Sequence, residues 1–176
     1  MKNILFSAAL VLVACSLSAQ REFDTAAELN DFIVEEQAKV TLAIEDLMLV
    51  IDNASPKDEN SKVLAEAALK KMQAQADESL KEVKELVIYF GEGEFVNATV
   101  ALFTFYKEAA NNQYVEITTL LFSPSYKKKS EEKITALKAE TEAKGAALNA
   151  QFKIAQMNFA EQFEIELNWE EEEAGE

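Results

Sequence analysis

Apolar residues recur along most of this chain at intervals of three, four or seven, the period of one helix face. Leu29, Ile33, Val40, Ile44, Leu47 and Ile51 make the first such stripe. It predicts a helix from Thr25 to Ile51. Thr25-Ala26-Ala27-Glu28 has the form of a capping box, with Thr25 as the N-cap and Glu28 reaching back. Asp52-Asn53-Ala54-Ser55-Pro56 ends the stripe, because Asn and Asp compete for backbone bonds and Pro disfavours helix at the residue before it. A second helix is expected from Pro56 or Asp58 to Phe90, capped by Ser55. Its inner face is Leu64, Ala68, Met72, Ala76, Val83, Leu86 and Phe90. Gly91-Glu92-Gly93 is the expected stop.

A third helix is expected from Glu94 to Phe122, dense in aromatics: Phe95, Phe103, Phe105, Tyr106, Tyr114 and Phe122. Phe103, Phe105 and Tyr106 point in different directions around a helix, so this rod is either central, with neighbours on two sides, or exposes an aromatic edge. Core packing is the expectation. Ser123-Pro124-Ser125 breaks it. The fourth and longest segment runs from Tyr126 or Ser130 to Leu167. Ile134, Leu137, Thr141, Leu148, Phe152, Ala155, Phe159 and Phe163 keep its rhythm, and Gly145 is an expected bend. Short breaks make successive helices antiparallel neighbours. The fold expected is therefore all-α, an up-down-up-down four-helix bundle with a long C-terminal helix. The runner-up has that last helix projecting as a coiled-coil arm.

The N-terminus has a different pattern. Lys2 precedes an apolar run, Ile4 to Ala14, broken only by Ser7, and small residues follow. The run is well short of the ~18–20 residues that cross a bilayer, so it reads as an export signal. Two cuts compete. Signal peptidase would cut after Ala19 and leave Gln20 first. A lipobox, Leu12-Val13-Ala14-Cys15, would leave a lipidated Cys15 first. The chain thus divides into a signal at 1–19 (or 1–14), a helical domain at 20–168 and an acidic, disordered tail at 169–176. Export to the periplasm, outer membrane or cell surface follows.

Composition then removes chemistry. There is no His, which excludes His-ligated zinc, haem and di-iron sites and a His general base. A single Cys excludes an internal disulfide and Cys-cluster metal sites. Four Gly and two Pro are too few for the turns of an all-β fold. Asp52, Asn53, Asp58, Glu59 and Asn60 cluster in the first break, without the spacing of an EF-hand, and read as a capping loop. The 32 acids make many close pairs, none set apart by an apolar neighbourhood. No catalytic, cofactor or metal residues are expected. Net charge is −15, and loss of residues 1–19 removes Lys2 and no acid, leaving −16. That field repels phosphate, so Lys127-Lys128-Lys129 is read as a polar loop and no nucleic-acid partner is expected. Membrane attachment is expected only through Cys15. Asn97-Ala98-Thr99 matches an N-glycosylation acceptor but sits at a helix start. Asp24-Thr25-Ala26 makes Thr25 a weak O-glycosylation candidate, for which the capping role is sufficient explanation.

Several blocks resemble a family of exported surface proteins and lipoproteins of the Bacteroidota and of leptospires, for which no activity is assigned. They are Leu29-Asn30-Asp31-Phe32-Ile33-Val34-Glu35-Glu36-Gln37, Ala67-Ala68-Leu69-Lys70-Lys71-Met72-Gln73-Ala74-Gln75, Ala101-Leu102-Phe103-Thr104-Phe105-Tyr106-Lys107 and Phe152-Lys153-Ile154-Ala155-Gln156. The resemblance implies an envelope location and supplies no catalytic residue; Cys15 would match its lipoprotein members. The expected function is non-enzymatic action on another envelope or extracellular macromolecule. The alternatives are a carrier of a small apolar ligand held between helices, and a periplasmic holdase with a free arm. The intact mass of the native mature protein separates the two processing routes: it matches either a chain beginning at Gln20 or one beginning at a lipidated Cys15, and any glycan on Thr25 adds to it.

Overall fold

The structure is a computed structural model, and residues 23–86 and 93–167 of it are described here. Among these residues every regular element is a helix and none is a strand. Cys15, both cleavage sites, the stretch from Val87 to Glu92 and the acidic tail lie outside them.

The first helix, α1, spans Ala26–Asp52. Thr25 caps it as expected, its Oγ1 accepting from the Glu28 amide at 3.2 Å. The reciprocal arm of the box lands one residue earlier than expected: Glu28 Oε2 accepts from the Asp24 amide at 2.9 Å. The second helix, α2, spans Glu59–Lys84. Its cap is Asp58, not Ser55: the Asp58 carboxylate accepts from the Asn60 and Ser61 amides. Those bonds hold the Asp58 carboxyl below the usual carboxylate range, with the Ser61 hydroxyl bond the largest cause. The expected inner face of α2 is observed at Met72, Ala76 and Val83, with Ala68 and Leu86 half-buried against the core, and departs from expectation at its N-terminal end. Leu64 is exposed, and Ala65, Leu69, Met72, Ala76, Leu80 and Val83 are buried. The helix leaves regular geometry at Glu85, before the expected end at Phe90.

The expected third helix is two segments, α3 at Glu94–Asn111 and α4 at Gln113–Leu121. Asn112 leaves helical geometry at φ −120° and ψ −73°. Helical hydrogen bonds still cross it, from the Asn112 amide to the Glu108 carbonyl and from the Glu116 amide to the Asn112 carbonyl. The rod is therefore kinked rather than cut. The fifth element, α5, spans Lys128–Gln162 and at ~1.5 Å per residue is ~52 Å long. It begins inside the lysine run expected to be loop. It passes through Gly145 without interruption. Gly145 serves close approach, since a Cβ there would meet Phe105 Cε1 at 3.1 Å.

These are four rods, packed in sequence: α1 on α2, α2 on α3, and α3 with α4 on α5. In the cross-helix bonds residue numbers fall in one helix as they rise in the other. Glu36 meets Ser79 and Asp46 meets Lys71 between α1 and α2. Ala110 meets Gln73 and Lys107 meets Asp77 between α2 and α3. Glu108 meets Lys144, and Glu116 of α4 meets Lys133, on α5. α3 is the central rod, so Phe95, Phe103, Phe105 and Tyr106 are all buried. Phe95 stacks on Phe152 and Phe159 of α5, with centroids 5.4 and 5.0 Å apart. That contact overturns the projecting arm: Phe152 and Phe159 are buried, and Phe163 packs against the same core. Replacing Phe152 with Ala should cost ~3–5 kcal/mol by chemical denaturation, and Thr25→Ala, which removes only a cap, ~1 kcal/mol.

Candidate cleft between the first and last helices

The first and last rods, α1 and α5, face each other without close backbone packing. Between them lies a cleft of about 530 Å³. Its α1 wall is Gln37, Thr41, Ile44, Met48 and Asp52, one helical face. Its α5 wall is Lys138, Thr141, Glu142, Gly145, Ala146 and Asn149. Phe105, Tyr106 and Ala109 of α3 and Tyr114 of α4 close the floor. The floor is bulky and the α5 wall is small, and that difference keeps the space open. Phe105 fills the notch above Gly145, and Lys144 Nζ stands 5.3 Å from the centre of the Phe105 ring.

Polar straps cross the seam. Lys138 Nζ pairs with Asp52 Oδ1 at 2.5 Å at one end. Gln37 Nε2 donates to Asn149 Oδ1 at 2.9 Å at the other. Beyond it a buried third strap joins Gln156 Nε2 to Asn30 Oδ1 at 2.8 Å. Gln37 to Asp52 is fifteen residues of α1, or ~22 Å, so the cleft is long and narrow.

Two phenols reach this space. The Tyr106 hydroxyl faces the Gln37 and Thr41 side chains on the cleft wall. Tyr114 is only 8% exposed, and no described residue hydrogen-bonds its hydroxyl. Burial pushes both phenols above the ordinary tyrosine range. At Tyr106 the Gln37 and Thr41 side chains oppose the rise; at Tyr114 the charges of Tyr106 and Glu142 add to it. Glu142 and Tyr114 line the same cleft, from α5 and α4 respectively.

Elsewhere the structure assigns residues the sequence did not single out. Glu36 is a buried carboxylate between α1 and α2, where none was expected. Ser79 Oγ donates to it at 2.6 Å and Lys39 Nζ at 2.7 Å. Hydrogen bonds to Glu36, then to Glu35, raise the Lys39 ammonium above its ordinary value. Glu36 is one satisfied carboxylate, not an acid–base pair. In the first break, Asp58 caps α2 and Asp52 turns to Lys138, so the acids do not gather around one point. Among the described residues no group of three or more His, Cys, Asp or Glu converges as metal ligands, and no helix is long and apolar enough to cross a membrane. The oxygen of Thr25 is occupied by its cap, and Thr99 is buried with its hydroxyl on the Phe95 carbonyl. Cys15 lies outside the described residues.

The chain matches no protein-family model, no curated protein and no solved structure.

Spectroscopic titration of tyrosinate checks the site electrostatics. Tyr106 and Tyr114, and outside the cleft Tyr126 beside Glu131, should ionise above the ordinary value of 10.0 in the folded protein and return to it in denaturant, and Tyr114→Phe should remove one of the two cleft titrations. Both cleft pKa values are raised by folding. Their contribution to stability is therefore complete below pH ~10 and is lost as pH rises through the folded values.

Proposed function

We propose that this chain is an exported, non-enzymatic binding protein and that the cleft between α1 and α5 is its binding site. The reading takes the four rods as an up-down-up-down bundle open along one seam, which the opposed residue numbering of the cross-helix contacts supports. The observation that carries it is the cleft itself. About 530 Å³ lies within the ~300–1,000 Å³ range of small-molecule sites, and Ile44, Met48, Phe105 and Ala109 give it an apolar interior with a few polar groups at its walls. A small, largely apolar ligand is the matching occupant. Export to the periplasm, outer membrane or surface rests on the N-terminal pattern from Lys2 to Ala19, and envelope membership on the resemblance to Bacteroidota and leptospiral surface proteins. Cys15 would tether the protein if the lipobox is used.

Action on a larger partner is favoured by a separate observation. The side of α5 that faces away from the core carries Ala136, Ala143, Ala150, Ile154 and Met157 at helical spacing, all exposed. A helix with apolar residues on both sides can pack on its own bundle and on another helix.

The cleft reading is tested with a neutral naphthylamine dye that fluoresces in apolar surroundings. One saturable site per chain is expected. Ala146→Trp, which puts an indole into the cleft, should abolish the signal. Ala150→Trp, an equal change on the outer face of α5, should leave it. Binding that survives Ala146→Trp with helicity unchanged would refute the assignment.

A further inference from the structure

Two features of the cleft are left over once its shape is explained. The first is Tyr114. Its ring is more than nine-tenths buried, it lines the cleft, and its hydroxyl has no hydrogen-bond partner among the described residues. The hydroxyl opens into the cleft rather than being sealed, since Gln113 Oε1 is the only buried side-chain oxygen without a partner among the described residues, so it can accept from a bound polar group without losing an internal bond. The second is charge. The lining holds three ionisable side chains besides the phenols: Asp52, Lys138 and Glu142. Asp52 and Lys138 neutralise each other at 2.5 Å. Glu142 makes no ion pair among the described residues, so the cleft keeps one uncompensated carboxylate, near the free phenol. The rest of the molecule has the same sign, at −15 overall, and draws in cations while repelling carboxylates and phosphates.

Resting on the cleft reading above, we propose that the occupant is a cationic amphiphile: a primary ammonium group on a long apolar body. The ammonium donates to the Tyr114 hydroxyl oxygen and to the Glu142 carboxylate. The body lies along Ile44, Met48, Phe105 and Ala109 toward the Gln37–Asn149 strap. An ammonium has only donors, the Glu142 carboxylate only accepts, and the Tyr114 oxygen can accept while its own O–H stays free to donate, so the match is in chemistry as well as in charge. A fatty carboxylate meets the opposite conditions, because the cleft's one ammonium, on Lys138, already serves Asp52.

Three probes with the same ten-carbon tail separate head group from body: decylammonium, 1-decanol and decanoate, titrated calorimetrically below their aggregation limits. Decylammonium should bind one per chain and about tenfold or more tighter than 1-decanol, with decanoate weakest. Glu142→Gln should bring decylammonium to within about threefold of 1-decanol. Glu140→Gln, which removes the same charge from α5 outside the cleft, should leave the wild-type preference and so exclude general attraction to an acidic surface. Tyr114→Phe should weaken decylammonium and 1-decanol alike, by about fivefold. Equal affinities for decylammonium and 1-decanol, tightest binding of decanoate, or no effect of Glu142→Gln would overturn the head-group assignment. If all three probes fail while the neutral dye still binds, the ammonium proposal falls and the cleft reading stands. If the dye fails as well, both fall.

Discussion

The architecture depends on how four aromatic rings of one short helix are buried. Phe95, Phe103, Phe105 and Tyr106 project from different sides of α3, and all four are removed from water. Burying a side chain of that size contributes ~1.5–3 kcal/mol, so α3 must be covered on more than two sides. α2 covers one side and α5 another, with α1 contributing at the edge. The cost of a crowded central rod appears on its far side. Phe105 and Tyr106 stand between α1 and α5, and those two helices cannot close over them. The cleft is the space left by that wedge.

Much of the chain's organisation could be read from spacing, and the failures have identifiable causes. The α1 stripe is observed at Leu29, Ile33, Val40, Leu47 and Ile51 because large apolar residues and the helical period agree there. On α2 they do not. Leu64 and Ala65 are neighbours, and the bulk of Leu64 argued for the wrong one; the face that packs begins at the small, fully buried Ala65. The kink at Asn112 could not be read, because an Asn inside a helix costs only a few tenths of a kcal/mol more than its neighbours and does not announce a break. Gly145 was visible as a weak point, but its use was not. Whether a glycine bends a helix or admits a ring depends on the opposing residue, here Phe105, forty positions away.

The site was less legible than the fold for a related reason. Its walls are the residues beside the stripes, and one-dimensional periodicity says nothing about a gap between two stripes. Two signals did exist. Glu36 falls between Ile33 and Val40 on the α1 stripe, where an acid must be buried and therefore bonded, as Ser79 and Lys39 show. On α5 the stripe thins at Thr141 and Gly145 before Leu148 resumes it, so that stretch lacks the volume to fill its share of a core. A polar residue on an apolar stripe and a run of missing volume are both departures from consistency, and such departures mark either a bonded interior group or a space kept open.

The seam is also the weakest interface in the molecule, which bears on how anything would enter it. α1–α2 and α3–α5 are joined by continuous apolar packing, whereas α1–α5 is joined across the cleft mainly by polar straps. A half-exposed ion pair such as Lys138–Asp52 contributes ~0–1 kcal/mol, and the exposed side of Gln37–Asn149 exchanges readily with water. Separating α1 from α5 at either strap therefore exposes little apolar surface and breaks one or two modest bonds, while separating any other packed pair of rods exposes buried apolar core. Local opening follows the interface with the fewest buried contacts. Access to the cleft does not require unfolding. Apolar packing closes α1 on α2, α2 on α3 and α3 on α5, so the cavity lies along the seam that is held mainly by polar groups.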